Sequence, residues 1–130
     1  MHILLKNRSD VPIYEQVEQQ IREQILCGQL PEGTQLPSIR QLARDLKISV
    51  VTTTRIYSDL TEEGFLQSVA GKGCFVAPRD NDLLRERMIS EMETGMEQAV
   101  RSGKKAGLND KELHDILQST IDGLKEEGEL

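Results

Sequence analysis

Apolar residues recur along this chain at helical spacing, interrupted once by two short strand-like runs around a glycine-rich turn. Tyr14, Val17, Ile21 and Ile25 return at helical spacing with Glu, Gln and Arg between them, which predicts a helix over 12–28. Pro12 suits its first turn, Asp10 is a candidate cap and Gly28 a natural stop. The segment from Leu30 to Pro37 is rich in turn residues and extended around its prolines. Ser38 then reads as the N-cap of a short helix over 38–46, with Ile39, Leu42, Ala43 and Leu46 on one face. Lys47-Ile48 makes a tight turn, and Ser49 caps a further helix over 50–63 whose inward stripe is Thr53, Ile56, Tyr57 and Leu60, ended by Gly64. The rhythm then changes. Phe65–Val69 and Cys74–Ala77 read as strands around the turn Ala70-Gly71-Lys72-Gly73, a β-hairpin closed by Pro78. Helical spacing returns in 82–102, where Leu84, Met88, Met92, Met96 and Val100 fall at steps of four, and in 109–127, where Asn109 caps a face of Leu113, Ile116, Leu117, Ile121 and Leu124. Ser102–Gly107 is the expected break between them.

Two short helices joined by a tight turn and followed by a hairpin form the pattern of a helix-turn-helix with a wing. The expected fold class is therefore mainly α with a small β-hairpin. A winged helix-turn-helix for DNA over 1–79 would be followed by a two-helix dimerisation tail over 80–130. The second helix of the pair can enter a major groove. Its inward stripe leaves Val51, Thr52, Thr54, Arg55 and Ser58 facing out. Hydroxyls suit phosphates and base edges, the Val51 side chain and the Thr methyls suit a thymine methyl, and Arg55 suits phosphate or guanine. The run of β-branched residues from Val50 to Thr54 is poor for helix propensity alone, which favours a role outside the helix itself.

The stretch Gly28-x-Leu30-x-x-Gly33-x-x-Leu36-Pro37-Ser38-x-Arg40-x-Leu42-Ala43-x-x-Leu46, then Thr52, Gly64-Phe65-Leu66 and Gly71-Lys72-Gly73-x-Phe75-Val76, resembles the DNA-binding domain of the GntR regulator family. The opening Pro12-Ile13-Tyr14-x-Gln16 and the tail Gly107-Leu108-x-Asp110-x-Glu112-Leu113 are similar to its YtrA subfamily, which joins the winged domain to a short helical pair used for dimerisation. The resemblance implies operator contacts for Arg40, for Ser49 and Thr52 at the start of the recognition helix, and for Gly71 at the wing tip with Lys72 beside it. It further implies repression of an operon, often one encoding an ABC-type exporter. Arg44 is either a phosphate contact or a solvated side chain. The chain departs from the commoner pattern at Val50, where many members carry Arg, at Thr54, where many carry Lys or Arg, and at Cys74, usually Thr. Fewer cations predict a shallower salt dependence of DNA binding.

Charge and composition narrow the reading further. The formal net charge is −6. Residues 1–79 balance nine basic against nine acidic side chains, so the whole excess lies in 80–130. Within 38–58 only Asp45 opposes Arg40, Arg44, Lys47 and Arg55. Charges beyond a Debye length of about 10 Å are largely screened, so a phosphate meets the local field. A winged helix used for protein–protein contact is the alternative that the net charge favours. The two cysteines lack zinc-site spacing, no nucleophile has a histidine near it, and no phosphate-loop spacing occurs, so neither an enzyme nor a metal or other cofactor is expected. No apolar run reaches the roughly 20 residues of a membrane span, and the N-terminus is too short in apolar residues for a signal peptide, so a cytoplasmic protein is expected. The helical tail has little to pack against in its own chain. A two-fold homodimer through Leu84, Met88, Met92, Met96, Leu113, Leu117, Ile121 and Leu124 would cover it and set two recognition helices on a palindromic duplex. An effector, if one exists, has no identity legible here, and the tail is too small to enclose a pocket of about 300 Å³ within one subunit.

Overall fold

Three helices, a hairpin and two further helices follow one another in the computed structural model, which describes all 130 residues. They are α1 (Ile13–Leu26), α2 (Ile39–Leu46), α3 (Val50–Glu62), β1 (Leu66–Val69), β2 (Gly73–Val76), α4 (Asp82–Lys105) and α5 (Asp110–Glu126). The chain is mainly helical with one two-stranded antiparallel sheet, as the spacing of its apolar residues predicts. No helix is long and apolar enough to cross a membrane.

The chain divides into two compact units, Met1–Met88 and Ile89–Leu130, so the boundary falls inside α4 rather than at residue 79. The reason lies at the start of that helix. Asn81 caps it by accepting from Leu84 N (2.9 Å) and donates to the Gly64 carbonyl (3.1 Å). Gly64 sits at φ +92°, and a Cβ there would stand 2.6 Å from Leu84 N. This close approach, open only to glycine, seats Leu84 in the core of the first unit at 3 % exposure. Leu84 is therefore spent within its own unit and is not part of the open stripe that the sequence assigned to a dimer face.

In the first unit, Val17 and Ile21 of α1, Leu42 of α2, and Ile56 and Leu60 of α3 form the centre of a core closed by Leu30, Leu36, Phe65, Leu66 and Val76. Ser38 caps α2 by accepting from Gln41 N (3.1 Å), and Ser49 caps α3 by accepting from Thr52 N (2.9 Å). Between them Lys47 turns left-handed (φ 56°), with bonds Lys47 N to Arg44 O and Ile48 N to Ala43 O closing the helix end. The expected Asp10 cap on α1 does not form. Pro12 stands at the N-cap position without a side-chain bond.

Two features have no forerunner in the sequence reading. Gln16, Gln20 and Gln24, one helical turn apart, each bond the peptide groups of the extended N-terminal segment. Gln20 accepts from Leu4 N (2.8 Å) and donates to Leu4 O (2.6 Å), and the same double contact recurs at Lys6 and His2. A helix side chain thus stands in for a strand partner, and Ile3 and Leu5 turn toward the core. The second feature is a third strand-like edge. Gly33 N donates to Val76 O, Val76 N to Thr34 O and Leu36 N to Cys74 O, so the segment before α2 pairs with β2. Gln35 bridges Phe75 there.

In the second unit α4 continues through Gly103 to Lys105, past the expected break at Ser102. Gly103 remains helical because Leu113 packs on its bare Cα, where a Cβ would lie 2.3 Å from the leucine methyl. The helix ends instead at Gly107 (φ +84°), with Leu108 N bonded to Gly103 O and Gly107 N to Lys104 O. Asn109 and Glu112 form a capping box on α5, and Lys104 pairs with Asp110 at 2.7 Å, which holds that exposed carboxyl below its ordinary value. No side chain of this unit is buried. Met92, Met96, Val100, Ile116 and Leu117 are exposed, and Leu113, Ile121 and Leu124 are half-buried.

One buried acid sits at the joint of α1 and α3. Glu18 is 4 % exposed; its Oε2 meets Arg22 at 3.2 Å, while Oε1 has no hydrogen-bond partner. Arg22 directs both Nε and Nη2 to Glu63 at 2.8 Å, so its charge is shared. Burial, reinforced by the neighbouring Asp59 carboxylate, lifts Glu18 from an ordinary 4.5 to about 8. In its acid form Glu18 can donate to Asp59. The unfolded chain ionises this group from pH 4.5 upward while the folded chain retains the proton. Stability is therefore lost as pH rises from 4.5 toward 8, by at most about 1.4 kcal/mol per unit. Glu18→Gln keeps a neutral donor in place. In denaturant titrations its stability should gain on the original chain steadily as the pH is raised through that window. A constant gap across the window would contradict the raised value.

Candidate nucleic-acid interface

The inward stripe of α3 determines what the helix offers outward. Thr53 and Ile56 are fully buried, Leu60 likewise, and Tyr57 is nearly so, its hydroxyl donating to the Pro37 carbonyl at 2.6 Å. Burial pushes the Tyr57 phenol far above its ordinary value, so it stays a neutral donor. The opposite face is open. Val51 is 79 % exposed, the highest among the large apolar side chains, and Ser49, Val50, Thr54 and Arg55 are exposed while Thr52 is half-buried.

Hydroxyl bonding sorts these candidates. Ser49 Oγ accepts from Thr52 N and donates to Thr52 Oγ1 at 2.8 Å. No bond within the chain takes the Thr52 hydroxyl's own proton. Thr54 donates its proton to the Val50 carbonyl at 2.8 Å, and so turns its methyl and oxygen outward rather than a donor. Arg55 is partly engaged within the fold. Its guanidinium lies 3.8 Å from the Tyr14 ring centre and 3.6 Å from Asp59. The side chain remains 57 % exposed, so its charge is offset rather than hidden.

The hairpin pairs Leu66 with Val76, Gln67 with Phe75, Ser68 with Cys74 and Val69 with Gly73. Lys72 N donates to Val69 O to close the turn, and Gly71 (φ +75°) stands at the tip with no atom within 4 Å of where a Cβ would lie. Between α2, α3 and this hairpin runs an open cleft of about 530 Å³, with Arg40 and Lys72 both on its walls beside Ser38, Ser58 and Ser68. The fold thus brings together Arg40 from the start of α2 and Lys72 from the wing. Arg44 is exposed on α2 and Arg55 on α3, and neither lines the cleft. Cys74 lies half-buried at its floor, with desolvation raising its thiol, so it is a neutral wall. Ser68 and Gln35 also line the cleft, and nothing in their spacing marks them out. They reach it only through strand pairing.

The sequence profile described as "Bacterial regulatory proteins, gntR family" matches residues 13–76, from the start of α1 to the end of β2. The chain is 30 % identical over 116 residues to the HTH-type transcriptional repressor YtrA of Bacillus subtilis (strain 168), covering 89 % of each chain. Among solved structures it is similar to YtrA from Sulfolobus acidocaldarius, described as a GntR-family transcription factor, at 26 % identity and TM-score 0.63 over 95 % of this chain and 99 % of that one. It is also similar to AraR(DBD) in complex with operator ORX1, at 29 % identity and TM-score 0.52, covering 59 % of this chain and 96 % of that one. Taken with the helix-turn-helix, the wing and the open face of α3, this similarity shows that the chain belongs to the GntR family of bacterial regulatory proteins.

Proposed function

We propose that this DNA-binding transcription regulator represses its target in the cytoplasm by gripping a palindromic operator as a homodimer. Helix α3 of each copy would lie in a major groove, with the wing beside it. The single observation that carries the reading is geometric: an outward recognition face led by Ser49, Val51 and Thr52 adjoins a cleft whose walls hold Arg40 and Lys72. Arg40, Arg44 and Lys72 are assigned to phosphate, with Gly71 letting the wing tip approach the minor groove. Val51 and the Thr54 methyl are assigned to base edges. Arg55 joins them once DNA competes for it against Tyr14 and Asp59.

The test is a binding titration over a range of salt concentrations on a duplex that the protein itself selects from a random pool. Arg40→Ala should weaken binding to every sequence alike and lower the slope of log affinity against log salt by about one. A binding curve indifferent to salt would remove the DNA reading and favour contact with a protein partner instead.

Dimerisation is inferred from the second unit. A helical pair with no buried side chain cannot hold its shape by its own core, and Met92, Met96 and Leu117 leave flexible apolar surface exposed. Met88, on the last turn of the first unit, is exposed in the same manner. A two-fold pairing of such faces would supply two recognition helices for one duplex, whose successive half-sites lie about 34 Å apart, one turn. Replacing Met92 and Met96 together by Glu should convert the solution mass from two chains to one. Operator affinity should fall by at least about a hundredfold, since two linked half-sites bind far better than one. Sedimentation at the concentrations of the DNA titration reads both states. An unchanged mass would show that these residues do not form the joint.

A further inference from the structure

The wing is short. Each strand has four residues, and a two-stranded hairpin of that size is marginal in water on its own. Something must hold its tip if Lys72 is to meet DNA in a fixed place. Gln35 does so in three ways. Its backbone bridges Phe75 in the middle of β2. Its side-chain Nε2 donates to the Lys72 carbonyl at 2.9 Å, across 37 residues of sequence. The same amide lies over the bare Cα of Gly73, where a Cβ would come within 3.0 Å of Nε2. Gly73 is at φ +121°, a conformation that disfavours any other residue there.

Gln35 is itself anchored to the recognition helix. Two residues on, the Pro37 carbonyl accepts from Tyr57 of α3, and Leu36 N donates to Cys74 O of β2. A continuous path of bonds therefore runs from α3 through Tyr57, Pro37 and Gln35 to the carbonyl of Lys72. We propose that Gln35 is a positioning residue for operator binding: its amide ties the wing tip to α3, so that Lys72 and the recognition helix reach the duplex in one fixed spacing. This rests on the reading of Lys72 as a DNA contact, whereas the tie itself is a property of the free protein. Gln35 need not touch DNA for the effect.

Gln35→Met keeps the length of the side chain and removes its donor. In the free protein, amide relaxation should show residues 70–73 gaining fast motion while α3 is unchanged and the melting temperature is nearly so. On the duplex selected by the original protein, affinity should drop about five- to tenfold, the loss of one hydrogen bond's worth of preorganisation. Hydroxyl-radical protection beneath the wing should fade while protection by α3 persists. In a Lys72→Ala background the same substitution should cost less than about twofold, because the residue it positions is gone. The inference is overturned if the wing tip moves no more in Gln35→Met than in the original chain. It is likewise overturned if Gln35→Met weakens binding equally with and without Lys72. If Lys72→Ala alone leaves affinity and footprint unchanged, the DNA role of the wing falls and the positioning role with it. A looser tip in the free variant would then still record the tie.

Discussion

Helix α3 is available to a ligand only because its other side is committed to the core. Thr53, Ile56 and Leu60 are fully buried, and Tyr57 adds a bond to the backbone of the segment ahead of α2. Burying three such aliphatic and β-branched side chains contributes several kcal/mol, roughly 1.5–3 for each large one, and it fixes the rotation of the helix about its own axis. Val51 and Arg55 then face outward by necessity, four residues apart on the opposite side. The outward residues of α3 inherit their direction from that rotation. A substitution that loosened the stripe would misdirect the open face without touching it.

The same rotation explains why so much of the site could be read from the sequence. Helical spacing in α3 separates inward from outward residues without knowledge of the partner helices, and Ser38 and Ser49 mark two helix starts that the fold reproduces as side-chain caps. The resemblance, not the spacing, is what implies operator contacts for Arg40, Ser49, Thr52 and Gly71. What remained hidden depends on contacts distant in sequence. Gln35 reaches Lys72 across the wing, the Gln16, Gln20 and Gln24 ladder meets peptide groups rather than side chains, and Glu18 is buried although its position on α1 looks solvated. Periodicity sees which face a residue is on. It does not see a glutamine amide replacing a strand, nor a carboxyl pressed against Asp59.

The break in the tail shows the same limit at smaller scale. Ser102-Gly103 looks like a helix stop, because glycine inside a helix costs about 1 kcal/mol against alanine. Here Leu113 of α5 occupies the space a side chain would need, and that packing keeps Gly103 helical while Gly107 takes the left-handed turn. Leu84 illustrates the converse. It belongs to the step-of-four stripe by sequence, yet the cap at Asn81 and the bare Gly64 draw it into the first unit. The stripe left open is therefore shorter than its sequence pattern, and begins at Met88.

Charge joins the two units into a single argument. Val50 and Thr54 are uncharged and Arg55, the only cation on α3, is partly offset by Asp59, so that helix offers little unshared positive charge. Counterion release scales with the number of phosphates neutralised, so on the proposed reading a single recognition unit of this composition would bind weakly. On the proposed reading, pairing compensates. A second copy doubles the phosphate contacts and turns the second engagement into an intramolecular one, raising affinity without adding a cation to either. The acidic excess of 80–130 is then tolerable only in a part of the chain held away from phosphate. On that reading the open methionine stripe and the sparsely charged face of α3 would answer one requirement: affinity supplied by association rather than by charge.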